Sequence, residues 1–281
     1  MLATKEIKKI EDFVYAKPRS MQEVASHMGK SWRTADRYID ELVKEYGTIA
    51  TRTFREGTRG ALKIVFWAAM ENAHHSVFQE RLEHDILHFK KKEDFSAFDI
   101  FQYVKDKDKK AIVISSEKED KIDIEEWTGE FLACKKQVLI FSGNLSWLNI
   151  SCKGCDPFQT LSVLVKKGIS IKILTRVDLA SMRNIEKMLS LNFNYGKELI
   201  EIHHAEHPLR AFIFDNRLLR IREINEPTGK INELNKRIFI YYLIKDREWI
   251  DWLTRVFWKM FSNAVNAERR IEELKKVRVK Y

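Results

Sequence analysis

Apolar positions recur at helical spacing over residues 4–15, where Ile7, Ile10, Phe13 and Val14 share one face. Lys17-Pro18-Arg19 ends that helix, because proline cannot continue it. Ser20 opens a second helix: its hydroxyl caps free backbone N–H groups, Glu23 completes a capping box, and Met21, Val24, Ala25 and Met28 form the buried side. Gly29 turns the chain. Ser31 then caps a third helix running to about Tyr46, with Ala35, Ile39, Leu42 and Val43 directed inward and Gly47 closing it. Residues 48–54 and 61–67 alternate as two strands of a hairpin turned at 55–60.

Further on, residues 70–91 read as a long helix with Phe78, Leu82, Ile86 and Phe89 on one narrow stripe, suited to a helix partner or to its own chain. Charged runs at 105–110 and 115–123 flank the apolar residues 111–114 and read as loops around an edge element. Beyond them helix and strand alternate: helix 122–135, strand 137–141, helix 156–167, strand 169–174, helix 179–191 and strand 200–202. A hairpin follows over 209–222, turned at Asp215-Asn216, then a strand at 237–243. Trp249, Leu253, Val256, Phe257, Met260 and Phe261 mark a last amphipathic helix, and 266–281 continue as a charged one. The fold class expected is α/β, multi-domain, with a mixed sheet in the second domain.

Composition narrows the picture. At 281 residues, 44% hydrophobic and 32% charged, the chain has the length of two ordinary domains and is too apolar for disorder. A net charge of +9 favours an anionic partner, since clustered Lys and Arg gain affinity by releasing counterions, although surface ion pairing also consumes charge. No apolar run approaches the roughly 18–20 residues of a membrane span. Three cysteines, Cys134, Cys152 and Cys155, with no leader-like start point to a reducing interior, so the expectation is a cytoplasmic protein without membrane contact.

The third helix carries Trp32, Arg33, Thr34, Arg37 and Tyr38 near its capped start at Ser31. A guanidinium there can bond guanine O6 and N7 when the helix lies in a major groove. Arg52, Arg55, Arg59 and Lys63 cluster on or near the hairpin, where phosphates or the minor groove would be touched. In order, lengths and turn chemistry residues 4–67 resemble the winged helix-turn-helix family, which implies double-stranded DNA as partner; some winged helices bind proteins instead. Such regulators commonly dimerise, so a homodimer is expected.

Residues 122–265 resemble the phospholipase D-like superfamily. The likeness rests on the strand-helix-strand opening with residues 163–174, the hairpin ending in Phe-Ile-Phe-Asp215, and the closing strand and helix with Phe257-Trp258. In active members the hairpin carries His-x-Lys, four residues and an Asp, the His attacking phosphorus and the Lys holding phosphate oxygens. Aligned on Asp215, this chain has Arg210 in the Lys place and Pro208, which has no lone pair to attack with, in the His place. His207 is one residue early, on the opposite face of a strand. The resemblance therefore implies no catalytic residue and no enzyme, but a degenerate pocket of Asn144, Ser146, His207, Arg210 and Asp215, able to sense a small anionic ligand as in the archaeal TrmB-like regulator architecture. Alternatively, Arg210 simply pairs with Asp215.

The expected division is thus a DNA-binding winged helix at 1–68, a connector helix and charged linker at 69–121, the phospholipase D-like domain at 122–265 and a charged helix at 266–281. Neither metal nor cofactor is expected: His84 and His88 lack a third ligand, and Cys152-Lys-Gly-Cys155 is half a zinc knuckle whose completion by Cys134 or His203-His204 depends on the fold. The leading expectation is a sequence-specific transcription regulator. A nuclease using His204 or His207 in a shifted register, and an architectural or repair-associated DNA protein, stand as alternatives.

Overall fold

The structure, a computed structural model, describes residues 4–45, 48–55, 61–67, 75–115, 127–150, 156–227 and 234–278. The chain divides into two compact units. One comprises Met1–Phe78 with Val113–Ser115 and Ile224–Phe239, the other Gln79–Ile112 with Ser116–Glu223 and Ile240–Tyr281.

In the first unit α1 (Thr4–Ala16), β1 (Arg19–Ser20), α2 (Met21–Met28), α3 (Trp32–Glu45), β2 (Ile49–Arg55) and β3 (Ala61–Trp67) follow one another. The strands form a sheet in the order β1-β3-β2, with β3 antiparallel to both neighbours. Ser20 closes the capping box of α2: its Oγ accepts the Glu23 N–H at 3.2 Å, and its own N–H donates to Glu23 Oε2 at 2.7 Å. Gly29 ends α2 at φ +62°, a left-handed position that glycine adopts without a Cβ penalty. The core gathers Ile7, Ile10, Val14, Met21, Val24, Met28, Ala35, Ile39, Leu42, Ile49 and Val65. Val43, expected inward, is exposed, because it lies about 100° round the helix from buried Leu42. Gly47 and the turn at 56–60 lie outside the described residues.

The second unit holds most of an eight-stranded mixed sheet, of which residues 113–115, 224–225 and 238–239 are counted in the first unit. Its strands are β4 (Lys109–Ser115), β5 (Gln137–Phe141), β6 (Ser170–Thr175), β7 (Ile200–His204), β8 (Ala211–Phe214), β9 (Leu218–Asn225), β10 (Ile238–Ile244) and β11 (Val265–Asn266), in the order β11-β7-β6-β5-β8-β9-β10-β4. β5, β6 and β7 run parallel, while β8 is antiparallel to β5 and β9 to β8. β5 is apolar throughout its buried length, as a central strand covered on both faces must be. α7 (Pro157–Lys166) and α8 (Met182–Tyr195) make the crossovers β5-β6 and β6-β7. Asp156 caps α7 by accepting the N–H groups of Phe158 and Gln159, with Pro157 at the first helical position. α9 (Arg247–Asn263) packs on β5 and β6, with Phe257 edge-on to Phe141 at 5.2 Å.

Several boundaries differ from expectation for identifiable reasons. α8 begins at Met182 instead of Leu179: Asp178 and Ser181 exchange N–H bonds to each other's side chains at 2.9 and 2.8 Å, a turn that competes with the helix. α4 (His75–His88) ends short of the expected 91, and residues 68–74 lie outside the described set. Residues 95–104, to which the sequence pattern assigned no element, contain the short α5 (Phe98–Phe101), whose Phe98 and Phe101 rings lie 6.4 and 4.7 Å from Tyr242. Residues 127–132 form α6, short of the expected end at 135, and residues 122–126 lie outside the described set. The charged helix α10 (Ala267–Arg278) is anchored by Ala267 and Ile271, which are buried in the core of this unit. No helix among the described residues is long and apolar enough to cross a membrane.

Candidate functional site

Two sets of residues carry chemistry, one in each unit. In the first, Ser31 Oγ accepts the Thr34 N–H at 3.2 Å and lies 2.9 Å from Thr34 Oγ1, fixing the first turn of α3. Trp32 and Tyr38 are half-buried against the core, so they hold α3 in place more than they reach outward. Arg33 and Arg37 are exposed one helical turn apart, with the Arg37 guanidinium 5.6 Å from the Tyr38 ring. Arg55 is exposed at the end of β2, and Arg52 is half-buried with its guanidinium 5.8 Å from the Phe54 ring. Arg59 lies outside the described residues.

Lys63 does not join the outward cations. Its Nζ lies 2.6 Å from Asp36 Oδ1 and 3.0 Å from Asp40 Oδ1, both on α3. Burial disfavours its charge, but the hydrogen bonds and fields of the two carboxylates outweigh that and raise its pKa above the ordinary lysine value. Sequence spacing alone cannot pair a strand lysine with helix carboxylates more than twenty residues away.

In the second unit the five residues expected to form one pocket separate. Asp215 belongs to the opposite end of β8 from Arg210: its carboxylate accepts the N–H groups of Lys135, Lys136 and Gln137 at 2.6, 2.9 and 2.9 Å. It is thus a backbone clamp, and the alternative pairing of Arg210 with Asp215 falls with the same geometry. Asp215 and Asn216 adopt φ of +49° and +52°, the pair of left-handed residues that a tight β8-β9 hairpin requires. Ser146 is exposed, and Asn144 serves its own loop, accepting the Ser146 N–H through Oδ1 at 3.1 Å and the Asn184 side-chain N–H through its carbonyl at 2.9 Å. The loop's organiser is Ser142, which the sequence did not single out: buried, its Oγ accepts from the Leu145 N–H and the Trp147 indole N–H, both at 3.2 Å.

Arg210 is what remains of the pocket. Its guanidinium lies so close to Gly143 that a Cβ there would stand 2.5 Å from Nη2. Its Nη1 donates to the Leu209 carbonyl at 2.7 Å, and among the described residues no carboxylate lies within ion-pair distance of it. Across the β8-β9 ladder it faces Arg222, whose N–H donates to the Arg210 carbonyl at 2.8 Å, and the Arg176 N–H donates to the Gly143 carbonyl at 3.1 Å. Burial, then the charges of Arg222 and Arg176, lower the Arg210 pKa, with Glu93 opposing. Like charges directly opposite one another in a ladder are destabilising.

His207 is enclosed, its Nε2 3.1 Å from the Leu174 carbonyl and its ring edge-on to Phe141 at 5.2 Å. Burial, and after it the charge of Arg210, push its pKa down to about 4, against the pull of the Leu174 and Leu209 carbonyls. Neighbouring Pro208 and Leu209 are buried as well. His204 accepts the Val177 N–H at Nδ1 (2.9 Å) and His203 Nδ1 lies 2.7 Å from the Phe261 carbonyl, so both rings are held by backbone groups. Cys134 is buried and unbridged, and burial raises its thiol to about 12. Cys152 and Cys155 lie outside the described residues, among which no three His, Cys, Asp or Glu side chains gather as a metal site.

The fold is therefore a mixed α/β architecture in which a three-helix, three-stranded unit accompanies an eight-stranded sheet. No protein-family model matches the sequence, and no curated protein does. Among solved structures the chain is similar to TrmBL2, an archaeal chromatin protein described as showing a novel mode of DNA binding, at 14% identity and a TM-score of 0.39 over 94% of this chain and 93% of that one. It is also similar to Nuc from Salmonella typhimurium, a phospholipase D family member, at 12% identity and a TM-score of 0.38 over 56% of this chain and 97% of that one. NucT from Helicobacter pylori matches at 13% identity and a TM-score of 0.38, over 56% of this chain and 99% of that one. Likenesses this distant assign no activity, which has to come from the residues.

The depressed pKa of His207 gives stability a pH signature. Above pH 6.5 the imidazole is neutral in folded and unfolded chains alike; below it the unfolded chain takes up a proton that the folded one refuses until about 4. Urea denaturation should show stability falling between pH 6.5 and 4, by on the order of 3 kcal/mol from this group. His207→Gln should flatten that decline, and an equally steep decline in the variant would contradict the assignment.

Proposed function

We propose that this chain is a sequence-specific DNA-binding transcription regulator that acts as a homodimer, with a second unit that binds a small anion without catalysing its hydrolysis. In this reading residues 1–68 read the duplex and 69–121 connect. Residues 122–265 sense the ligand or dimerise, and 266–281 form a charged terminal helix. The observation that carries it is the pair Arg33 and Arg37, exposed one turn apart on a helix whose start is fixed by Ser31 and whose inner face is locked into a core. A rigid helix presenting two planar forks near its N-terminus has the form that major-groove guanine recognition requires. Arg52 and Arg55 on β2 supply backbone contacts beside it. A dimer would place two such helices about 34 Å apart, one turn of the duplex.

Against a nuclease stands the state of the histidines. Pro208 has no lone pair, and His207, the shifted candidate, is buried and held by the Leu174 carbonyl. Loss of a covalent nucleophile costs on the order of a millionfold in rate. Arg210 retains the capacity to hold a carboxylate or phosphate through its fork, with Arg222 and Arg176 nearby to add positive potential.

Two measurements test this. In gel shifts on a selected site, Arg33→Ala and Arg37→Ala should relax sequence preference at a cost of about 1–3 kcal/mol each. Arg55→Ala should instead weaken all duplexes alike and flatten the salt slope by about 0.9; four arginine variants (Arg33, Arg37, Arg52, Arg55) that all bind like the parent chain would remove the winged helix from the account. For the second unit, inorganic phosphate or sulfate should raise the melting temperature of the wild-type chain and leave Arg210→Ala unmoved. Equal shifts in both would show that Arg210 holds no anion.

A further inference from the structure

We infer that Lys63 is an internal counter-ion of the reading helix, a positioning residue that lets α3 approach phosphates without touching DNA itself. The inference rests on the DNA-binding reading above. Asp36 and Asp40 stand one helical turn apart on α3, interleaved with Arg33 and Arg37, so the stretch 33–40 carries two cations and two carboxylates, with Glu41 following. Left to themselves these four charges cancel, and the carboxylates would repel the backbone of any duplex the arginines approach.

Lys63 reaches the carboxylates from the middle of β3, opposite Thr53 of β2. Its side chain is 17% exposed, that of Asp36 26% and that of Asp40 65%, so the ammonium lies beneath the carboxylates and the acidic rail lies outside it. A lysine placed there cannot extend to a phosphate without giving up both ion pairs. With it the five side chains sum to one positive charge; without it they sum to zero. The same contact ties β3 to α3. The raised pKa of Lys63 keeps it charged throughout the neutral range.

A double-mutant cycle read by duplex affinity decides the matter. K63Q in the wild-type background should weaken binding about tenfold, because the freed carboxylates then face the phosphates. In a D36N/D40N background the same substitution should cost nothing, since there is no charge left to neutralise. The slope of log affinity against log salt should change little in K63Q, whereas loss of a direct phosphate contact would reduce it by about 0.9. If K63Q costs the same in both backgrounds and the slope drops, Lys63 is a DNA contact and the inference is overturned; if K63Q costs nothing in either, it is overturned too. K63M, which keeps the packing of the stem, replaces K63Q should the latter fail to fold. The wild-type chain separates the two claims: no retained duplex there contradicts the functional reading and with it this role, while wild-type binding with a background-independent K63Q cost overturns the counter-ion role alone.

Discussion

The second unit depends on one junction, where a parallel sheet becomes antiparallel between β5 and β8. Asp215 makes that junction by accepting three consecutive backbone N–H groups as the chain enters β5. The clamp fixes the register Val138 to Phe214 through Phe141 to Ala211, and the left-handed pair Asp215-Asn216 sends the chain straight back into β9. Everything at the other end of β8 follows from this. Five residues back along an extended strand is roughly 17 Å, so Arg210 emerges near the carboxyl ends of β5 and β6, against the Gly143 backbone. That is the end of an open parallel sheet at which ligands bind. One acidic residue thus places a basic one without meeting it.

The separation explains why the single pocket expected from the sequence does not form. Spacing along the chain listed Arg210 and Asp215 together, because a motif is written in one dimension. The pleat and the hairpin then put the guanidinium in a recess and the carboxylate in a turn. His207 fails for a related reason: with Leu209 and Pro208 it is packed inward, where burial holds the imidazole neutral.

Legibility tracked locality. The capping box at Ser20, the turn at Gly29, the cap at Ser31 and the Asp215-Asn216 turn are all short-range devices, and each stands where its residues imply. The strands β2 and β3 and the continuous apolar run of β5 were readable for the same reason, although burial along β2 does not alternate: Ile49 and Phe54 are its buried positions. What escaped was decided by distant partners. Lys63 reads as a surface cation until Asp36 and Asp40 come beside it. The aromatic stretch around Phe98 and Phe101 has no clean period of its own, because it is shaped by packing on Tyr242.

The central claim is that the chain reads DNA and does not cut it. The most direct measurement is footprinting of the purified protein on fragmented genomic DNA with magnesium present, at two salt concentrations. The account expects discrete protected segments on intact DNA, with half-sites spaced by about one helical turn and occupancy falling steeply as salt rises. Cleaved DNA, with cleavage lost on changing His204 or His207, would contradict it.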